Sequence, residues 1–298
     1  MTFSRFSASQ SAVAVGALLA FASAAHADVK IVTETTITGL PDALRSGDTA
    51  NIDPSKPITS TVYLKGEKRR TETPVLVTIY DCAADAVYTL NSTDKTYTVS
   101  TLAKSVATDT SASNPLLSLM KIDTGNVTLA PQKATKTIAG KPATSYSFGM
   151  TLTLRPLDPS LSEMIPNLVT TIKGEQWVSE SIVSPAVCER MAKSSFLNSL
   201  PIPTAMAGSG LKTLSEKMAA IKGTPLSSRI EVRIKPGNGK SADANVLPIP
   251  KDPIIVVNEV KSVSEAPLDD SLFTVPADYK KVTVDTKSVT PPAAPVQR

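Results

Sequence analysis

Four short patterns in the chain bring reactive side chains together. Ser209-Gly210-Leu211-Lys212 fits the Ser-x-x-Lys arrangement of penicillin-recognising enzymes. The accompanying Ser-Asp-Asn and Lys-Thr-Gly pieces are absent, and Ser209 stands where a helix N-cap belongs. Gly239-Lys240-Ser241 matches the end of a phosphate-binding loop, but the upstream glycine that such a loop requires is Ile234. Glu265, Asp269 and Asp270 offer oxygens to a hard cation without EF-hand spacing, and turn or helix-start roles account for them. Lys68-Arg69-Arg70 remain, either as contacts for a lipid headgroup or acidic partner or as a solvated strand-end turn. No catalytic residue, metal site or cofactor is expected from these patterns.

The single histidine, His26, narrows the chemistry further. Arg5 is the only charge ahead of an Ala-rich apolar stretch from Ala12 to Ala25, and Ala25-His26-Ala27 carries the small residues of a signal-peptidase site. Residues 1–27 therefore read as a secretory signal peptide cleaved after Ala27, which predicts a periplasmic or secreted protein. The apolar core is shorter than a usual spanning helix, and no cysteine follows the cleavage point to accept a lipid anchor. Cleavage would remove the histidine, and with it Ser-His-Asp or Cys-His nucleophiles, His-ligated metals and a histidine pH switch. That points toward a non-enzymatic binding protein.

Two cysteines, Cys82 and Cys188, would then sit in a compartment where disulfides persist. A bond between them would close a loop of roughly a hundred residues, worth about 4.7 kcal/mol at most in chain-entropy terms. Two buried thiols are the alternative. Lys and Arg number 31 against 27 Asp and Glu, too even and too scattered a balance to predict nucleic acid as a partner. No other apolar run reaches membrane length, so no stable membrane span is expected.

The elements that would position these residues are mostly strands. From Val62 to Ser100, β-branched and aromatic runs alternate with polar turns, at Gly66–Arg70, Asp81–Asp85 and Asn91–Asp94. Asp28 to Leu40 alternates as a half-buried first strand. The cleanest pattern is Tyr146, Phe148, Met150, Leu152 and Leu154 against Ser145, Ser147, Gly149, Thr151 and Thr153, which puts five apolar side chains on one face of an antiparallel strand. Ile230, Val232 and Ile234 repeat it, and Gln176–Ser179 reads as a strand carrying the only Trp, Trp177. Helices are predicted after Pro185 and from Ser209 to Gly223, with a short one at Pro115–Met120. Eight to eleven strands and two or three helices make a mainly β (α+β) protein: a large curved antiparallel sheet, or incompletely closed barrel, with the helices over its concave face. The domain is expected to span residues 28–286, followed by a Pro-rich disordered tail at 287–298.

Several stretches resemble the LolA/LolB-type lipoprotein carriers and related exported bacterial proteins of unknown function. They are Val62-Tyr63-Leu64-Lys65, Thr78-Ile79-Tyr80-Asp81, Ala86-Val87-Tyr88-Thr89-Leu90, Lys95-Thr96-Tyr97-Thr98 and the closing Ser271-Leu272-Phe273-Thr274-Val275-Pro276, with Tyr279 and Val282 beyond. The resemblance implies an unclosed barrel with a helical lid that holds lipid acyl chains. The carriers place an Arg after the strand's Lys, where it acts in lid closure; this chain has Gly66 there.

With aromatics at 4%, a cavity on such a sheet would be mostly aliphatic and would suit acyl chains better than stacked rings. Its expected lining is Tyr146, Phe148, Met150, Leu152, Trp177, Ile230 and Val232, with Lys68, Arg69 and Arg70 meeting a headgroup or partner. The expected function is binding of a lipid or other long apolar ligand. The alternative is a structural module of the cell envelope whose helices pack directly on the sheet and leave no room for one.

Overall fold

The computed structural model of the chain describes residues 28–41, 56–102, 120–158, 160, 167–182, 213–214, 216–218, 220–237 and 249–283. Six strands come first: β1 (Val29–Thr38), β2 (Ile58–Lys65), β3 (Lys68–Glu72), β4 (Leu76–Asp81), β5 (Ala86–Asn91) and β6 (Thr96–Ser100). Then follow β7 (Met120–Thr124), β8 (Thr128–Ile138), β9 (Lys141–Pro156), β10 (Leu168–Ser179), β11 (Thr224–Pro236), β12 (Ile254–Glu265) and β13 (Lys280–Lys281). All belong to one sheet in the order β13-β6-β5-β4-β3-β2-β1-β12-β11-β10-β9-β7, with β8 also on β9. The sheet is open, because the strands at its two ends, β13 and β7, do not pair with each other.

Every pairing is antiparallel except the short β13–β6 contact. Two meanders, β1–β6 and β9–β12, are joined by the ten-residue register of β1 on β12. Bulges interrupt the register at Val32/Thr33, Pro131/Thr135 and Trp177/Val178. Each bulge adds local twist and bends the sheet.

Strand alternation gives the sheet two faces with different covers. Helical backbone at residues 213–214 and 216–218 lays Leu214 and Met218 on one face, against Phe148, Met150, Leu152, Leu154, Leu168, Ile172, Ile230, Val232, Ile254 and Val256. On the other face, the segment after β12 runs across β2–β6 as a strap. Its 3-10 turn, Asp270–Phe273, presents Phe273 to Val77, Ile79 and Leu90, with Leu268, Leu272, Val275 and Tyr279 beside it. These are called the helix face and the strap face below. A third cluster joins Val29, Ile31, Leu64 and Val260 to Ala143, Ile182 and Leu226. Each large aliphatic side chain so buried contributes about 1.5–3 kcal/mol of transfer free energy.

Several expectations need correction. The Gly66–Arg70 turn shrinks to Gly66-Glu67, because Gly66 takes a φ of 53° and reverses the chain at once. Lys68, Arg69 and Arg70 therefore lie in β3, on alternating faces. The Lys-rich stretch after Leu129 is a strand, β8, exposed along most of its length. Those two strands help raise the count from the predicted eight to eleven to thirteen. Of the predicted helices, only the one ending before Gly223 has helical residues in the described part, and Pro267–Leu272 turns as a 3-10 helix. Met120, the last residue of the predicted Pro115–Met120 helix, instead opens β7; the rest of that helix, the helix after Pro185, the signal peptide and the tail lie outside the described residues.

Candidate ligand-binding face

The helix face is built row by row from the pairing register. Tyr146, Phe148, Met150 and Leu152 of β9 stand opposite Gln176, Gly174, Ile172 and Thr170 of β10, which stand opposite Ser228, Ile230, Val232 and Ile234 of β11. The predicted cavity residues Phe148, Met150, Leu152, Ile230 and Val232 thus share one surface, as the period-two pattern required. All five are at most 4% exposed. A water-sized void beside them would leave accessible surface, so Leu214 and Met218 fill the space above this patch. Tyr146 is only half-buried at its edge.

Trp177 falls outside that stripe. Its register partners are Ser145 and Ser227, one residue out of phase with Tyr146 and Ser228. Its ring packs against the Val29–Leu226 cluster and carries the Lys136 ammonium 4.1 Å from its centroid, a cation–π contact.

Phe148 packs where it does because Gly174 lies opposite it. A Cβ at Gly174 would overlap the Phe148 ring and come within 2.8 Å of the Arg229 carbonyl oxygen. Only a residue without a side chain lets the ring lie over the backbone here. Nothing in the strand pattern singled out this glycine.

A polar row that the sequence reading also missed crosses the helix face. Thr35 donates to the Asn258 carboxamide oxygen at 2.6 Å, and Asn258 donates to Ser228 at 3.0 Å. Gln176 and Tyr146 continue the row in register. Ser228 and Gln176 are buried. The row separates the Val29–Leu226 cluster from the larger core beneath the helix, and its members come from five strands, β1, β12, β11, β10 and β9. Each alone reads as an ordinary polar strand residue.

The three predicted headgroup contacts go to different places. Lys68 reaches Asp81 at 3.7 Å. Arg70 is on the strap face, where Nε donates to Glu72 at 2.6 Å and Nη1 to the Leu272 carbonyl at 2.8 Å. It fastens the strap. Lys65 does the same, reaching the Leu268 carbonyl at 2.5 Å and the carboxylates of Asp270 at 2.9 Å and Asp28 at 3.6 Å.

Arg69 points the other way, onto the helix face, between Leu64 of β2 and Tyr80 of β4. Its Nε is shut off from solvent without a hydrogen-bond partner, and so is the Thr71 hydroxyl two residues along the same face. No carboxylate pairs with Arg69 among the described residues. Burial pushes its guanidinium below the ordinary value, opposed by the charge a Tyr80 phenolate would bring. Burial pushes the Tyr80 phenol up. A guanidinium cannot shed its proton in a protein, so Arg69 remains a cation without a counter-charge among the described residues.

Cys82 is buried one residue beyond β4, and no described cysteine is a free thiol. Cys188 lies outside the described residues. No group of three His, Cys, Asp or Glu side chains among the described residues could hold a metal ion. No described helix is long and apolar enough to cross a membrane. No family model matches the chain, and no curated protein matches it.

Proposed function

We propose that the protein is an exported, non-enzymatic binder of a lipid or other long apolar ligand, held on the helix face of its open sheet in the manner of a lipoprotein carrier. The observation that carries this reading is the makeup of that face. There Val62 and Leu64 pack with Val260 and Leu226 in one apolar cluster, and beside it Arg69 and Thr71 hold buried polar atoms that nothing in the described protein satisfies. Protein interiors rarely retain such atoms unless something else supplies the partner. Burying acyl chains yields about 0.8 kcal/mol per methylene, so one long chain is enough for useful affinity.

Native mass spectrometry of the protein purified from its host tests the reading. A co-purifying amphiphile is the expected result. Repeated preparations that carry no ligand would sink it.

A second reading is favoured by a different observation. Phe148, Leu152, Ile230 and Ile254 are shielded beneath Leu214 and Met218, as in an envelope module whose helices pack directly on the sheet. Under that reading a protein partner is recovered by cross-linking in cells, and no lipid is found.

A further inference from the structure

We infer that Arg69, with Thr71 and Tyr80, is an anion-recognition point on the helix face, so that the bound ligand carries a carboxylate or phosphate head. This rests on the proposed lipid-type binding and adds the chemistry of the head group. Three hydrogen-bond donors are brought together by register alone. Arg69 stands opposite Tyr80, and Thr71, two residues along β3, stands opposite Thr78. The Arg69 Nε–H and the Thr71 hydroxyl are both buried and unsatisfied.

An unpaired buried cation destabilises the protein that contains it. Replacing it by an apolar side chain of similar reach would relieve that penalty. The guanidinium fork matches a carboxylate or phosphate in two-point geometry, whereas a neutral alcohol or ester offers it no charge. The neighbouring side chains on the β1–β2 side, Leu64, Val62, Val29 and Ile31, form an apolar cluster, against which an attached chain would have to pack. Arg70 has the same residue type one position away but points to the strap face and is already paired. It is therefore a positional control.

The experiment uses the full mature chain and three probes: oleate, oleyl alcohol and inorganic phosphate, each titrated calorimetrically. Wild type is expected to bind oleate roughly ten- to hundredfold more tightly than oleyl alcohol, the range that a charge-assisted hydrogen bond provides. Arg69→Met should lose that preference while keeping its affinity for oleyl alcohol, and without ligand it should unfold at higher urea than wild type. Arg69→Lys, which keeps the charge without the fork, should fall between the two; it also carries the test if Arg69→Met does not fold.

Binding of phosphate by wild type but not by Arg69→Met supports the same site and assigns it to a phosphate head. Phosphate binding with neither amphiphile bound sinks the apolar-ligand reading but leaves the anion site standing. Equal affinity of wild type for oleate and oleyl alcohol, or an oleate preference that survives in Arg69→Met, overturns the inference and leaves amphiphile binding intact. Binding of none of the three overturns both.

Discussion

The two meanders of this sheet bury opposite faces. In β2–β6 the tightly packed apolar residues, Val77, Ile79 and Leu90, lie on the strap face beneath Phe273. The reverse side of the same strands carries Arg69, Thr71, Thr78, Tyr80 and Thr89, flanked by the buried apolar Leu64 of β2 and Val87 of β5. In β9–β12 the arrangement is inverted. The helix face holds the aliphatic core under Leu214 and Met218, and the reverse side is Thr151, Thr153, Thr171, Lys173, Glu231 and Arg233. A sheet covered on one face throughout would be a simple two-layer protein. This one has two separate covers, and the helix face is polar at Arg69, Thr71, Thr78 and Tyr80 of β3 and β4, where the strap, on the other side, supplies the core. The half that is stabilised from the strap side is therefore the half free to use its helix face for recognition.

The comparison is broken most directly by removing one cover at a time. Phe273→Ala should cost about 3–5 kcal/mol, since the ring is buried in the strap-face core. Leu214→Ala should cost about 2–5 kcal/mol by the same cavity argument. Urea unfolding gives the totals, and hydrogen exchange separates the halves. Phe273→Ala is expected to lose protection first in β4 and β5, and Leu214→Ala first in β10 and β11. Identical exchange patterns for the two variants would mean that the covers act as one unit, and the division drawn here would fail.

Gly174→Ala probes the helix-face core alone. The added methyl displaces the Phe148 ring and presses on the Arg229 carbonyl, an overpacking effect of about 1–3 kcal/mol. The strap half should be untouched. Restoring stability in the double variant Gly174→Ala with Phe148→Leu would identify the ring as the cause; no recovery would place the strain in the backbone.

How much of this was legible in the sequence differs between the halves for physical reasons. Tyr146–Leu154 and Ile230–Ile234 alternate cleanly because one face is buried and the other wet, and period two reports that directly. The hairpins of β2–β6 were readable from their turns, but not the face they bury. Arg69 and Arg70 are adjacent arginines of identical local preference; strand alternation sends them to opposite faces, and only the two-residue Gly66-Glu67 turn, with the register it sets, decides which goes to which. The Thr35–Asn258–Ser228 row was invisible because its members meet only through the β1–β12 and β11–β12 pairings. The strap was recognisable as a Leu-Phe-x-Val-Pro stretch, but nothing local says which face such a segment covers.

The smallest expected effect concerns how the two covers respond to pH. The helix cover is held mainly by Leu214, Met218 and Ile221, none of which titrates, with one exposed lysine contact, Lys217 Nζ donating to the Val127 carbonyl at 3.2 Å. The strap is held partly by charge. The Asp269 carboxylate accepts the Ser271 backbone N–H at 2.8 Å, and that bond holds the acid below its usual range. A carboxyl whose folded value is depressed stabilises the fold at pH above its unfolded value, near 4, and loses that contribution as pH falls through the folded one. The Lys65 amine is raised, first by its hydrogen bond to Asp270. Its contribution is therefore full below the ordinary lysine value, near 10.4, and declines as pH rises beyond it. Both groups are well solvated, so each effect is small. The strap should nonetheless loosen before the helix at either extreme. Protection factors corrected for intrinsic exchange should fall in β4 and β5 as the pH drops below about 4, ahead of β10 and β11, and Asp269→Asn should flatten that acid response. Simultaneous loss in both halves would show that global unfolding precedes any release of the strap, and the charged fastening would then be incidental to the asymmetry.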